Sequence, residues 1–162
     1  MAAGGLPGLP ATDAPECDVI EIDEVCVRQS PPCWLWIAVS RIVGHALSFA
    51  FGDRTDTVLE QLWSEMPEEY KNKPICTDHW GAYERFFPAE QHESCDKGSG
   101  KTSIAEAMNT KWRQRQSGLV RRSCGTWTGI ETDLAERFLI LLESHNHERI
   151  KRWQVQQGPT MA

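Results

Sequence analysis

The chain has 162 residues, 40% of them hydrophobic and seven of them Trp, enough to bury one sizeable core and too much apolar surface for a disordered segment. No apolar run approaches the roughly 20 residues needed to cross a bilayer, and the opening MAAGGLPGLPATDAPE lacks the basic region and apolar stretch of a signal peptide, so a cytoplasmic protein is expected. The formal charge of −6 conceals an asymmetry: Lys97, Lys101, Lys111, Arg113, Arg115, Arg121 and Arg122 face Glu106 alone between Lys97 and Trp127, whereas Asp13 to Glu24 holds six acids and no base.

Residues 1–17, rich in Gly, Pro and Ala, predict a flexible leader. DVIEIDEVCV then alternates, Ile20 and Ile22 against Glu21 and Asp23, which is the period of a half-buried strand. After Pro31-Pro32, CWLWIAVS predicts a second strand and VGHALSFAFG a third, ended by Gly52; three strands in succession suggest a meander. DTVLEQLWSEM sets Val58, Leu59, Leu62 and Trp63 on one helical face, with Asp56 near the N-terminus and Pro67 as the stop. PICTD predicts a fourth strand that delivers Asp78 at its C-terminal end, where open sheets carry functional groups.

From Thr102 to about Leu119 a helix is expected. Ile104, Met108, Trp112 and Leu119 fall in one stripe, and Glu106, Asn109 and Arg113 fall in another, roughly opposite. Such a helix packs on a sheet and still presents an acid, an amide and a guanidinium together; three solvated polar residues are the plainer reading. A final helix from about Glu131 to His147 buries Leu134, Phe138, Leu141 and Leu142, with Ile130 just before it, and residues 149–162 form a tail. The six cysteines form no C-x-x-C pair and read as free thiols, several of them buried.

Asp23, Asp78 and Glu106 therefore lie on two strands and one helix. Carboxylates from distant parts of a chain that meet in this way build two-metal phosphoryl-transfer sites. Hard cations such as Mg²⁺ select carboxylate oxygen over thiol or imidazole. The basic segment can neutralise several phosphates whatever the net charge, although a solvated helix face has the same composition.

Other motifs are weaker. GSGKTS has the end of a phosphate-binding loop, but Cys95 stands where that motif needs Gly and no apolar strand precedes it. His145 and His147 are two residues apart, which points them to different faces of a helix, so a frayed helix end is expected there in preference to a metal site. No G-x-S-x-G accompanies a Ser/His/Asp set.

FGDRT after the third strand, TDHWGAY around Asp78, and I-x-E-x-x-N-x-x-x-R on the helix resemble the catalytic segment of transposases of the insertion sequence one family, members of the DDE superfamily. The resemblance spans roughly Asp18 to Glu148. It implies an α/β fold, an RNase H-like mixed sheet of about five strands flanked by helices over residues 18–148. The strand ending at Asp78 would be parallel to the first, with the catalytic helix packed beside it. Asp23, Asp78 and Glu106 would be the catalytic, metal-binding acids for two Mg²⁺ ions, with Mn²⁺ able to substitute. Asn109 and Arg113 would flank them, and Trp80 and Tyr83 fit the motif after the second acid. The implied chemistry is endonucleolytic cleavage and 3′-OH strand transfer during transposition; an inactive remnant that only binds DNA is the alternative.

Lys101, Asn109, Lys111, Arg113, Arg115, Arg121 and Arg122 would contact DNA. Trp80, Trp112 or Trp127 would stack on unpaired bases, although Trp112 also belongs to the apolar stripe. Expected partners are terminal inverted repeats, target DNA, further copies of the chain on that DNA, and an upstream DNA-binding region or separate reading-frame product, since nothing of that kind precedes Asp18. DKGSGKT is Gly-rich where the family pattern holds a strand and basic residues. A nucleoid-associated place in a prokaryotic cytoplasm follows.

Overall fold

A computed structural model describes residues 3–6, 8, 14–29, 32–96, 98–115 and 131–158. Six strands, β1 (Ala3–Gly5), β2 (Ile20–Gln29), β3 (Pro32–Ser40), β4 (Ala46–Gly52), β5 (Ile75–Thr77) and β6 (His92–Ser94), form one sheet in the order β1-β4-β3-β2-β5-β6. β2, β3 and β4 are the antiparallel meander that their spacing predicts, β5 runs parallel to β2, and β6 runs parallel to β5. Helices α1 (Asp56–Ser64), α2 (Gly81–Phe86), α3 (Ser103–Arg115) and α4 (Glu131–Gln157) flank it. This mixed six-stranded sheet between helices is compatible with an RNase H-like fold.

Both faces of the sheet are covered. Ile20, Ile22, Trp36, Ala38 and Ile75 pack with Val58, Leu59 and Leu62 of α1 and Ala82 and Tyr83 of α2. On the other face Val25, Val27, Leu35, Ile37, Phe49 and Phe51 meet Ala105, Met108 and Trp112 of α3 and Phe138 and Leu142 of α4. β2 is thus a central strand with two buried faces, not the half-buried strand its alternation predicts. Its acids are tolerated inside because each has partners from elsewhere in the chain, a relation that periodicity does not carry.

Two further elements depart from the expected order. Residues 3–5, within the segment read as a leader, pair antiparallel with β4, Ala3 opposite Ala50 and Gly5 opposite Ser48. Backbone pairing needs no apolar side chain, so a Gly/Ala run can add a strand without a periodic signal. α4 continues ten residues past His147 in place of the expected frayed end.

The cause is a dock between α4 and the β3–β4 turn. Asn146 accepts from Ala46 N at 2.8 Å and donates to Ala46 O at 2.7 Å, His145 Nε2 lies 2.9 Å from Gly44 O, and Arg149 Nε donates to Val43 O at 2.9 Å. Gly44 has φ +74°, and a Cβ there would sit 2.2 Å from the Arg149 guanidinium, so the turn requires glycine. His147 is exposed while His145 is turned inward, as their spacing requires.

Candidate active site

Asp23 lies near the middle of β2, on the face that α3 covers. Asn109, one of the expected helix residues, is 4% exposed and donates to Asp23 Oδ2 at 2.7 Å. Burial pushes the Asp23 carboxyl up to about 6 against the opposing Asn109 hydrogen bond, and repulsion from Glu24, Asp78 and Glu106 adds to the rise. Asp78 and Glu106 therefore act on Asp23 electrostatically, although the three acids do not bring three donor atoms within 4.8 Å of one another.

Each of the other two has its own local setting. Asp78 follows β5, its Oδ1 accepting from Trp80 N at 3.0 Å and its Oδ2 4.0 Å from Arg54 Nη2. Glu106, in the first turn of α3, is exposed and accepts from Thr102 Oγ1 at 2.7 Å. Its helix is aimed by Glu21, whose Oε2 accepts from Ile104 N at 2.8 Å and Ala105 N at 3.0 Å. A carboxylate at a helix start answers unpaired N–H groups and the positive end of the helix dipole. Arg41 completes the arrangement: its Nε holds Glu21 Oε1 at 2.7 Å and its other nitrogen reaches Lys101 O.

Glu24 is the acid that sequence reading did not select. It is 9% exposed, accepts from Tyr83 OH at 2.5 Å, and pairs with Arg54 at 2.5 Å. Burial first and Glu24 second hold the Tyr83 phenol well above its ordinary range, so it stays a donor. Arg54 lies between the Trp34 and Trp80 rings, 5.1 and 4.9 Å from their centroids. The FGDRT string signalled this loop, but nothing local in it marks Arg54 as the cation beside Glu24 and Asp78.

The proposed DNA contacts are differently placed. Lys101 Nζ pairs with Glu93, and Lys111 Nζ lies 3.2 Å from His145 Nδ1. Arg113 and Arg115 belong to α3, their side chains outside what is described, and Arg121, Arg122, Leu119, Cys124 and Trp127 lie outside the described residues altogether. Trp112 is 1% exposed and stacked edge-on against Phe138, a core residue. Trp80 is part-buried, 5.2 Å from Trp36. β6 ends at Ser94, and between it and α3 Gly98 and Gly100 adopt positive φ.

Hard oxygen donors whose charges crowd the buried Asp23 carboxyl suit a divalent cation, which would relieve the repulsion. Among the described residues no helix is long and apolar enough to cross a membrane. No similar sequence was found among curated proteins. The family model described as IS1 transposase matches residues 19–139, which takes in β2 through most of the first half of α4 and all of the acids above. The chain belongs to the IS1 transposase family.

Proposed function

We propose that this transposase chain is a catalytic domain in which Asp23, Asp78 and Glu106 hold two Mg²⁺ or Mn²⁺ ions and cut and join DNA. The observation that carries the reading is the buried Asp23 on the central strand, held by Asn109 Nδ2 at 2.7 Å within a family match that spans all three acids; the neighbouring charges of Glu24, Asp78 and Glu106 add repulsion that a cation would relieve. Bound there, the ions would activate the attacking oxygen and neutralise charge growing on the attacked phosphate. Asp23, packed between β2 and α3 and oriented by Asn109, is the central ligand. Asp78 and Glu106 flank it from β5 and α3, where they reach solvent and so DNA.

The chemistry is two displacements at phosphorus. Water attacks at the element's end and the P–O3′ bond breaks, leaving a 3′-OH and a 5′-phosphate. That 3′-OH then attacks a target phosphate, a new P–O3′ bond forms, and the target's own 3′-oxygen leaves. No covalent bond to the protein is needed. Arg54 would hold Glu24 and Asp78 in place and Glu21 would fix the pitch of α3. Lys101, Lys111, Arg113, Arg115, Arg121 and Arg122 would contact the phosphate backbone, the two lysines after leaving Glu93 and His145. Joining two element ends calls for a homo-oligomer on DNA and for an upstream DNA-binding region to recognise the terminal repeats, in a nucleoid-associated, cytoplasmic setting.

The test is Mg²⁺- or Mn²⁺-dependent nicking and strand transfer on DNA carrying the flanking terminal repeats, parent against Asp78→Asn. Activity in the parent that the variant lacks supports the metal-dependent reading. Silence in both, with the DNA-binding partner supplied, would favour a remnant that only binds DNA.

A further inference from the structure

A second cluster of donors lies on the same face of the sheet, outside the set of acids. Cys76 of β5 and Glu93 of β6 are partners in the parallel pair, so their side chains leave one face together, and Cys95, two residues past Glu93, returns to it. The Cys76 and Cys95 sulfurs and a Glu93 carboxylate oxygen lie within 4.8 Å of one another. Cys76 Sγ is 3.9 Å from Glu93 Oε2, while Glu93 Oε1 is taken by Lys101. Both thiols are buried, Glu93 is exposed, and a cavity of ≈ 260 Å³ lined by Arg41, Cys76 and Glu93 among others gives entry.

We propose that Cys76, Glu93 and Cys95 form a binding site for a thiophilic divalent cation, with Zn²⁺ the ion this ligand set fits. Two soft thiolates beside one hard carboxylate suit borderline Zn²⁺, whereas Mg²⁺ does not select a set dominated by sulfur. With Zn–S about 2.3 Å and Zn–O about 2.0 Å, tetrahedral donors lie roughly 3.5–4 Å apart. The cluster therefore closes on an ion with shifts of about an ångström or less, leaving a fourth position for water. Two thiolates, a carboxylate and Zn²⁺ sum to one negative charge, which Lys101, paired with Glu93, balances, while Arg41 is matched by Glu21. The parallel register makes the site: a one-residue slip of β6 would carry Glu93 and Cys95 to the opposite face.

The test is titration of the reduced, metal-free full chain with Co²⁺, which reports thiolate ligands by an intense near-ultraviolet charge-transfer band. One equivalent is expected to saturate the band, Zn²⁺ to displace it, and excess Mg²⁺ to leave it. Ions held by Asp23, Asp78 and Glu106 have no sulfur ligand and give no such band, so the two sites report separately. Cys17→Ser should keep the band and the Cys76→Ser/Cys95→Ser double variant should lose it. Glu93→Gln, at an exposed position that leaves the fold intact, should weaken Co²⁺ affinity about tenfold or more. Absence of the band in the parent, or unchanged affinity in Glu93→Gln, overturns the site.

Discussion

Asn109 Nδ2 donates to Asp23 Oδ2 at 2.7 Å, a hydrogen bond that ties the middle of α3 to the central strand across 86 residues of chain. Among the described residues it lowers the Asp23 pKa against burial and three like charges. The amide thereby sets both the direction of the carboxylate and the readiness with which it ionises.

Replacing Asn109 by Ala removes that donor from a buried carboxylate. The Asp23 carboxyl should then titrate above about 6, and the fold should lose about 1–3 kcal/mol, the usual cost of leaving a buried polar group unsatisfied. Transposition chemistry should fall, with its pH dependence moved to higher pH. Carboxyl titration by NMR in the metal-free protein checks the first point, and an unmoved Asp23 pKa would remove Asn109 from this role.

The meander, α1, the strand leading to Asp78 and the stripe of α3 were legible because each repeats an apolar residue at a period of 2 or 3.6. Asp23, Asp78 and Glu106 were singled out by motifs at the ends or middles of those elements, and Asp78 and Glu106 are among the charges that raise the Asp23 pKa. β1 and β6 were not: AGG and HES have no apolar period. The extension of α4 depends on Asn146 and Arg149 meeting a turn roughly 100 residues away. Glu21 looked like the solvent face of a strand and Glu24 was not singled out; the α3 N-terminus, Arg54 and Tyr83 that satisfy them are tertiary partners with no local trace.

Glu21 offers a direct test of how α3 is aimed. Glu21→Ala removes the acceptor for Ile104 N and Ala105 N and leaves Arg41 without its carboxylate. A loss of about 2–4 kcal/mol is expected, from an unanswered helix start and a stranded cation. Hydrogen exchange should quicken first at the N-terminal turn of α3, ahead of the β2–β4 meander. Uniform loosening of the whole chain would mean that Glu21 supports the core and does not specifically position Glu106.

Divalent cations should stabilise the protein through the same acids. Mg²⁺ or Mn²⁺ that binds only the folded state stabilises it by about 2.7 kcal/mol at one hundred times Kd and so raises the unfolding midpoint. Asp23→Asn should abolish most of this rise, whereas Glu93→Gln should keep it. A midpoint that climbs equally in parent and Asp23→Asn would place the cation elsewhere.

Two buried groups give the metal-free protein opposing pH dependences in the same acid window. His45 is fully buried, its ring 6.0 Å from Tyr70, and neither ring nitrogen has a hydrogen-bond partner among the described residues. Burial, with His145 and Arg149 adding repulsion, holds it down to about 4 from 6.5. As pH falls through that interval the unfolded chain takes up a proton that the folded chain refuses, so the His45 contribution is full above pH 6.5 and shrinks toward pH 4. Asp23 runs the other way. Its folded pKa of about 6 exceeds the ordinary 3.8, so its contribution is full below that lower value and is lost as pH rises to about 6. Each amounts to roughly 3 kcal/mol from the size of its shift, and between pH 4 and 6 they offset one another. His45→Phe should therefore leave a protein whose stability falls as pH rises through this window, and Asp23→Asn one whose stability climbs. Urea unfolding at pH 4.5, 5.5 and 7 separates the slopes, and parallel curves for the two variants would show that neither group titrates as its burial requires.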